Sequence, residues 1–455
     1  MKKFFLALII FFSVSEFTFA EDAITVKSVD FKEAIVIALE NNHEIRAIKN
    51  SLSASERDIG ITRSFLMPKV RVGEDFISTN NPAQVFALKL NQTRLTAADF
   101  AAAPGSFNYP GNITNFLTFG MVELPVFDKK SLVSLKMAKT KYSADGYMFL
   151  RKQEELINKV AQSYLQIGTA EEYVKAAEAG VKDAREHLRI AEVRYKSELG
   201  LYSDVLRAKT QFTEAEQKLV SAKKNLNVTK KGLGTLLSLK EAVEITNKTP
   251  ILDLKPIDYY KEFSMERNDI RAMRINVKNA KNGIKLAHAA WYPTLSLNAS
   301  YNFYNSNYPF GGEGNNYIAG AFLHWDLFDG NKRKYDALKA KDKTKEAQEY
   351  LAALKDGIDF KVFEAFSGVE EANKNFELAQ IALKSAEEGE RLVMKRWQAS
   401  LAPFVSVLDA QSNLNLARAN LVKSSNDLKA NLITLYYESG AIREELDLNN
   451  INPKG

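Results

Sequence analysis

The chain has 455 residues, of which 45% are apolar and 26% charged, with no cysteine and a formal net charge of +6. This much apolar material excludes a simple disordered chain, and the missing thiols exclude disulfide scaffolds, thiolate zinc sites, iron–sulfur clusters and thiol nucleophiles. Lys and Arg interleave with Asp and Glu instead of forming a basic block, so we expect no nucleic-acid partner.

Residues 1–20 predict a secretory signal peptide. Lys2 and Lys3 precede an apolar run, and Thr18-Phe19-Ala20 supplies small residues at the cleavage positions. A membrane anchor is the alternative, but the run is short for a hydrocarbon core of about 30 Å. We therefore expect an exported mature chain without N-terminal lipidation. No later segment is apolar enough for a membrane helix, so any membrane span would have to be made of β-strands.

The chain repeats itself at a shift of about 200 residues. Arg194-Tyr195 aligns with Arg396-Trp397, and residues 204–209 align without gaps with residues 406–411. This self-similarity predicts two structural repeats. They are residues 21–240 and 263–440, separated by an equatorial segment at 241–262 and followed by an equatorial tail at 441–455.

Apolar residues in each repeat recur in alternating steps of three and four, which is the spacing of a coiled-coil seam. The matched seam positions are Val181, Ala184, Leu188 and Ala191 in the first repeat, and Leu383, Ala386, Glu390 and Val393 in the second. Glu390 breaks the pattern, because Leu188 predicts an apolar residue there.

The seams predict a long helical hairpin in each repeat, over residues 129–237 and 332–439. The descending arms, 129–196 and 332–398, would each be about 100 Å long at 1.5 Å per residue. At the turns, Gly200 and Pro403 disfavour helix, and Ser203 or Asp204 is a candidate N-cap for the next helix.

The ascending arms, 203–237 and 405–439, are about half as long as the descending arms. Two earlier helices, 31–66 and 263–290, are expected to stack on them and restore the full length. Each of these helices ends near a proline, Pro68 or Pro293, which disfavours continuation of a helix.

A β-hairpin is predicted after each proline, over about 69–126 and about 294–328. In the second hairpin one face is apolar: Leu295, Leu297, Ala299, Tyr301 and Phe303, continued by Tyr317, Ala319, Ala321, Leu323, Trp325 and Leu327. In the first, the strands 69–79 and 113–126 alternate less clearly and are joined by a longer loop. Strands of about 11 residues with such alternation are typical of transmembrane β-strands.

Four strands cannot close a barrel, and an open sheet edge is not tolerated in lipid. Several chains must then share one barrel, and three chains would supply twelve strands around a lumen. Soluble sandwich strands are the alternative interpretation of the same pattern.

The order of these features resembles the TolC-like outer-membrane efflux proteins, the channels of tripartite efflux and type I secretion systems. The resemblance spans essentially the whole mature chain. It is carried by the two helix-proline-strand units, by the strand ends Leu124-Pro125-Val126-Phe127-Asp128 and Leu327-Phe328-Asp329-Gly330-Asn331-Lys332-Arg333, and by the hairpin tips at 194–206 and 396–411.

This resemblance implies an α+β membrane protein. It would be a homotrimer, with a 12-stranded transmembrane β-barrel (four strands per chain) in the outer membrane of a Gram-negative bacterium, continued by a periplasmic α-helical coiled-coil barrel. The implied partners are outer-membrane lipid, a periplasmic adaptor (membrane fusion protein) and an inner-membrane transporter. No enzymatic activity, no cofactor and no metal are implied.

The resemblance also implies a gate at the periplasmic tips. Asp204 and Asp409 fall where the family places acidic residues, and three copies of each would form carboxylate rings that favour cations. Arg194 and Arg396 would pair with these acids and hold the tip closed. The simpler alternatives are an N-cap role for Asp204 and a solvated charge for Asp409.

Exposed apolar residues at a turn indicate a partner or a contact that stabilises the turn, and we favour adaptor docking here. The candidates are Leu199, Gly200, Leu201 and Leu401. The sequence departs from the family pattern at Ser406, where an acid is common, and at Ala402-Pro403, where Gly is common.

Two other classes of function remain open at this point. An exported coiled-coil protein with a structural or adhesive role accounts for the long helices but not for the repeated order of elements. An enzyme is less favoured, because the glycines at 311–314 and 232–234 do not lie between a strand and a helix, and the four histidines lack metal-ligand spacing. The substrate, whether drugs, metals or secreted proteins, is not indicated.

Overall fold

The structure, a computed structural model, describes residues 26–101, 105–247 and 254–448. The predicted signal peptide and the end of the predicted tail lie outside these residues. The elements in chain order are β1 (Val26–Val29), α1 (Phe31–Asn41), α2 (His43–Ser64), β2 (Lys69–Thr79), α3 (Pro82–Asn91), α4 (Ala97–Ala101), α5 (Gly105–Asn108), β3 (Ile113–Phe127), α6 (Lys129–Lys196), α7 (Tyr202–Leu236), β4 (Ala242–Ile245), α8 (Ile257–Ser264), α9 (Asn268–Ala289), β5 (Thr294–Asn305), β6 (Gly314–His324), α10 (Lys332–Gln398), α11 (Phe404–Ser439) and α12 (Ile442–Glu445).

Two antiparallel helical hairpins form most of the molecule. Helices α6 and α10 have 68 and 67 residues, close to 100 Å each, and pack against α7 and α11 of 35 and 36 residues. Small buried residues such as Ala184, Ala208 and Ala215 lie on the facing sides, so the helix backbones approach closely. Helix α11 also packs against α6, which joins the two hairpins side by side.

The prediction of one continuous helix at 31–66 is wrong, because the chain breaks at Asn42. Its backbone is extended there (φ −60°, ψ 126°), and its side chain accepts hydrogen bonds from the backbone N–H groups of Glu44 and Ile45. The same amide donates to the carbonyl of Leu236 at 2.9 Å. Asn42 thus ends α1, caps α2 and fixes both to the end of α7.

The predicted helix at 263–290 is interrupted in the same way, at residues 265–267 between α8 and α9. Arg267 precedes α9 and donates to the backbone carbonyl of Glu438 near the end of α11. Its aliphatic stem lies against Gly440, which has φ +81°, and a Cβ there would come within 2.7 Å of the Arg267 Cγ. Gly440 therefore ends α11 in a conformation and space that favour glycine.

The four long strands form one antiparallel sheet in the order β2-β3-β5-β6. The predicted apolar face is confirmed between β5 and β6, because Leu295 pairs with Leu323, Leu297 with Ala321 and Tyr301 with Tyr317. In the first hairpin Val70 pairs with Val122 and Phe76 with Phe116, with the two phenylalanine rings 4.9 Å apart. Strand β6 ends at His324, so the predicted continuation through Trp325 and Leu327 is wrong.

The described residues of the long loop in the first hairpin, which exclude 102–104, form three short helices, α3 to α5. Its residue Gln92 is fully buried and donates to the Thr114 carbonyl and the Asn115 side chain, both at 2.9 Å. Thr93 donates to the carbonyl of Glu313 at 2.7 Å, next to the start of β6. The loop is therefore packed onto the ends of β3 and β6.

The main apolar core lies around the middle of α6. Tyr164 is fully buried, packs edge-on against Phe31 with ring centroids 5.4 Å apart, and donates to Asn247 Oδ1 at 2.8 Å. The short strands β1 and β4 pair in parallel beside it, a pairing that the sequence analysis missed. This region holds the N-terminal segment, the equatorial segment and α12 against the two hairpins.

A network of buried charges ties α6, α9 and α11 together. The Arg151 guanidinium lies 2.9 Å from Glu154 and 3.8 Å from Asp269, and Arg267 contacts both Asp269 (2.7 Å) and Glu438 (3.1 Å). Burial disfavours ionisation of Asp269, but the hydrogen bonds and charge of Arg267 outweigh it and hold the pKa of Asp269 below its ordinary value. The guanidinium of Arg151 also lies 3.8 Å from the ring centroid of Tyr437.

Within residues 26–101, 105–247 and 254–448, none of the helices is long and apolar enough to cross a membrane.

Candidate functional site at the helical tips

The two hairpins turn in the same way at their tips. In the first, Glu198 has φ +61° and the N–H of Leu199 donates to the carbonyl of Arg194 at 2.8 Å; in the second, Ser400 has φ +62° and Leu401 donates to Arg396 at 2.8 Å. Left-handed residues in this position end helices and satisfy their last carbonyls. The two loops are thus geometrically equivalent.

Gly200 leaves little room for a side chain at the first tip, although the equivalent position of the second tip holds Ala402. A Cβ at this position would lie 3.1 Å from the Cβ of Arg194 and 3.3 Å from the backbone nitrogen of Tyr195. The helix that follows begins at Tyr202, with Leu201 in the N-cap position and no side-chain cap. The predicted N-cap role of Ser203 or Asp204 is therefore wrong.

Asp204 lies instead inside the first turn of α7, half-buried, and its backbone N–H donates to the carbonyl of Leu201 at 3.0 Å. A carboxylate in the first turn stabilises a helix through the macrodipole without capping it.

An apolar cluster beneath the loops joins the two tips. It consists of buried residues from both hairpins: Ala191, Ala208, Trp397, Phe404 and Val407. The rings of Trp397 and Phe404 lie with centroids 4.9 Å apart. Because this cluster excludes water between the hairpins, the tips of one chain form a single packed unit.

Arg194 reaches from the first tip to the second. It donates to the backbone carbonyl of Gln398 at 2.7 Å and the hydroxyl of Ser400 at 2.9 Å, and within its own tip to the carbonyl of Leu199 at 3.0 Å. Its guanidinium also lies 5.2 Å from the Trp397 ring centroid. Within the described chain Arg194 therefore binds carbonyls at a helix end, where partial negative charge accumulates, and not the predicted Asp204 or Asp409.

The structure does not bring the other predicted gate residues together. Arg396 and Asp409 are exposed, and among the described residues neither of them, nor Asp204, forms an ion pair with another side chain. Their predicted roles in a gate stay predictions.

Two polar links between the hairpins were missed by the sequence analysis. His187 Nε2 lies 3.1 Å from Glu390 Oε1, with the imidazole buried, and Arg418 donates to Asp183 at 2.7 Å. The first link explains why Glu390 breaks the apolar seam: it faces a histidine of the other hairpin. The irregular position was visible in the sequence, but its partner was not.

The candidate docking residues lie at the very end of the hairpins. The exposed fractions of Leu199, Leu201 and Leu401 are 68%, 67% and 70%, while Gly200 is half-buried. The exposed rings of Tyr195 and Tyr202, 5.3 Å apart, extend the same surface and were not predicted.

Over the described part of the chain, no group of three or more His, Asp or Glu side chains has the geometry to hold a metal ion.

A four-stranded antiparallel sheet continued by two helical hairpins about 100 Å long defines a class of outer-membrane channel proteins. The family model described as "Outer membrane efflux protein" matches residues 34–238 and 260–441, and the chain belongs to this family. It is an outer-membrane protein of the TolC type in a Gram-negative bacterium, with its helical part in the periplasm.

Individual relatives agree with this assignment. Outer membrane protein TolC of Vibrio cholerae is 25% identical over 353 residues, covering 72% of this chain and 77% of that protein. A membrane protein from Pseudomonas aeruginosa has a similar structure, with a TM-score of 0.76 at 16% identity, covering 90% of this chain and 93% of the other. The CmeC outer membrane channel of Campylobacter jejuni gives a TM-score of 0.72 at 16% identity, covering 90% and 86%.

Proposed function

We propose that three copies of the chain form a passive exit duct across the outer membrane. The observation that carries this proposal is the pair of free sheet edges. Within the described residues, β2 and β6 each pair on one side only. An unpaired edge exposes N–H and C=O groups that lipid cannot satisfy. If the β6 edge of one copy pairs with β2 of the next, three copies close a twelve-stranded barrel with the alternating apolar face toward lipid.

On this proposal the chain contains an internal duplication, so that the helical tube of the trimer has nearly sixfold symmetry. The helix breaks at Asn42 and Arg267 occur at matching places in the two repeats and support the duplication. Each lies before a helix that leads into the sheet, and each donates to a carbonyl near the end of an ascending helix, Leu236 or Glu438. Six long descending helices and six shorter ascending helices would then line one periplasmic barrel.

The gate of the duct lies at the tips, with Asp204 and Asp409 as carboxylate rings and Arg194 as the residue that holds the two tips of each copy together. The contacts of Arg194 with Gln398 and Ser400 support the last role. Arg396, exposed at the equivalent position of the second tip, would bind a neighbouring copy. A periplasmic adaptor would dock on the exposed leucines 199, 201 and 401 around Gly200, and an inner-membrane transporter would supply the substrate.

Conductance of the purified protein in planar bilayers tests this function. We expect narrow, cation-selective channels whose selectivity falls in Asp409→Ala and Asp204→Ala, because each change removes three carboxylates from the constriction. Glu214→Ala, on α7 above the tip, is the control with the same change of charge. Channels that keep their selectivity in both tip variants would show that the gate lies elsewhere, and protein that inserts without conducting would contradict the duct itself.

A further inference from the structure

One buried histidine lies at the contact between the two hairpins. All four histidines of the chain fall within the described residues, and three of them are exposed: His43, His288 and His324. The fourth, His187 on α6, has only 6% of its side chain exposed, and its Nε2 lies 3.1 Å from Oε1 of Glu390 on α10. Histidine is the side chain whose charge ordinarily changes between about pH 5 and 8. A pH-sensitive group therefore lies between the two hairpins.

The contact with Glu390 determines which nitrogen of the neutral imidazole carries the hydrogen. A carboxylate only accepts hydrogen bonds, so Nε2 of His187 is the donor. Nδ1 is then the unprotonated nitrogen, and it is buried without a hydrogen-bond partner among the described residues. An added proton goes to Nδ1, and the contact becomes an ion pair of imidazolium and carboxylate. The attraction between the two charges is then added to the hydrogen bond, and water screens it weakly because both groups are largely buried.

A second buried atom without a partner lies on α11. Gln411 is fully buried, and within the described chain its Oε1 accepts no hydrogen bond. The antiparallel packing places Gln411 within about one helical turn of the level of His187, because Asn415 lies beside Gly180, where a Cβ would be 3.3 Å from the Asn415 Oδ1. Two acceptors cannot satisfy each other, so a neutral Nδ1 and this Oε1 stay unpaired. A protonated Nδ1 is a donor, and the acid form of the histidine therefore supplies the partner that Oε1 lacks.

The acids nearest to His187 on its own helix are compensated by arginines. One turn above it, Asp183 accepts a hydrogen bond from Arg418 of α11 at 2.7 Å. Glu186 accepts from Arg189 at 2.6 and 2.8 Å, and these hydrogen bonds hold the pKa of Glu186 below its ordinary value. Neither acid is therefore available as the main partner of an imidazolium.

The other packed helices bring few charges to this level. Helix α7 presents Ala208, Phe212 and Ala215 to α6. On α10, Glu388 pairs with Arg391. The remaining charged groups near this level are exposed, so that solvent screens them: Lys182, Arg185 and Glu192 of α6, Lys209 and Glu214 of α7, Lys384, Glu387 and Lys395 of α10, and Asp409 of α11. Glu390, with 19% of its side chain exposed, is thus the acid that the imidazole faces.

We infer that His187, Glu390 and Gln411 form a latch between the two hairpins that acid strengthens. In acid the imidazolium pairs with Glu390 and donates through Nδ1 to Gln411, so that α6, α10 and α11 are held together above the tips. At neutral pH only the hydrogen bond to Glu390 remains, and the hairpins separate more easily. The effect of this latch on conduction rests on the proposed gate at the tips, because the hairpins must separate there for the duct to open.

Hydrogen exchange of the full-length protein in detergent tests the latch without reference to conduction. Protection factors, which are corrected for the pH dependence of intrinsic exchange, are compared between about pH 5.5 and 7.5, a range above the ordinary titration of carboxylates. We expect residues 183–191 and 387–393 to be at least about threefold more protected in acid. This gain should be lost in His187→Gln and in Glu390→Gln, because an amide keeps a hydrogen bond at either position but cannot form the ion pair.

His43→Gln, at the exposed start of α2, is the matched control and should keep the gain in protection. Single-channel recordings over the same pH range should show an open fraction at least about threefold lower in acid, again only with both members of the pair present. Protection that does not change with pH, or a change that persists in both pair variants, would overturn the latch. Protection that rises in acid while the open fraction stays constant would support the latch and contradict the proposed gate.

Discussion

Arg194 and Arg396 occupy equivalent positions in the two tips but have different surroundings. Arg194 donates to Gln398 and Ser400 of the other tip, whereas Arg396 is exposed and, within the described chain, forms no ion pair. From the sequence the two arginines look equivalent, because they occupy the same position of the repeat. The contact between the hairpins cannot be predicted from the repeat. Only the packing of the tips distinguishes them.

Replacement of Arg194 by Ala should therefore loosen the closed tip. Hydrogen bonds to a charged group contribute about 1.5–3 kcal/mol, so the open fraction should rise on the order of tenfold or more. Single-channel recordings and the sensitivity of cells to large antibiotics measure the effect. Arg57→Ala, which removes an exposed arginine of α2 away from the tips, is the matched control. An equal leak in both variants would show that the Arg194 bridge does not hold the gate.

The contact between His187 and Glu390 is a second link between the two hairpins. Glu390→Leu restores the apolar seam but leaves the buried imidazole without its partner, which should cost about 1–3 kcal/mol. The double variant His187→Leu/Glu390→Leu removes both polar groups and should recover most of that loss. Hydrogen exchange of α6 and α10 near the two residues measures the change. Simple additivity of the two single variants would mean that the contact does not couple the hairpins.

At the scale of elements, the long helices and the strands were predictable because their patterns are long. The three-four seam extends over many turns in α6 and α10, and the alternation in β5 and β6 fixes which residues share a face. The breaks at Asn42 and Arg267 were missed, since helical periodicity continues across a single extended residue. The pairing of β1 with β4 was missed because four residues carry too little pattern.

The ionic network around Asp269 predicts a pH dependence of stability. Since Arg267 lowers the folded-state pKa of Asp269 below the ordinary 3.8, the carboxylate contributes stability that is fully present above that value. This contribution is lost as the pH falls through the lowered pKa. Thermal unfolding at several pH values should show Asp269→Asn less stable than the unmodified chain at pH 6, with the difference shrinking below about pH 4. A difference that is constant across this range would contradict the assignment.

At the scale of the whole molecule, the candidate site was only partly predictable. The resemblance located the tips and the acids at 204 and 409, and the exposure of the three leucines follows from the short loops between helices. The interactions that join the two hairpins could not be predicted, because they lie between residues about 200 positions apart. A single sequence does not indicate which of the many polar residues at that separation meet.

The free edges of the sheet predict a specific pairing between copies. The natural chain has no cysteine, so cysteines introduced at Val72 in β2 and at Ala321 in β6 provide a clean background for crosslinking. A chain that carries both should form covalent dimers and trimers on treatment with a short bifunctional thiol reagent. Val72→Cys combined with Gly120→Cys, its register partner in β3 of the same chain, is the control and should give only crosslinks within one chain.

In the proposed assembly, one chain supplies only part of the closed β-barrel. Light scattering of the purified full-length protein in detergent, corrected for bound detergent, measures the number of chains in the particle most directly. The account predicts three chains per particle. A stable, conducting particle that contains a single chain would contradict it.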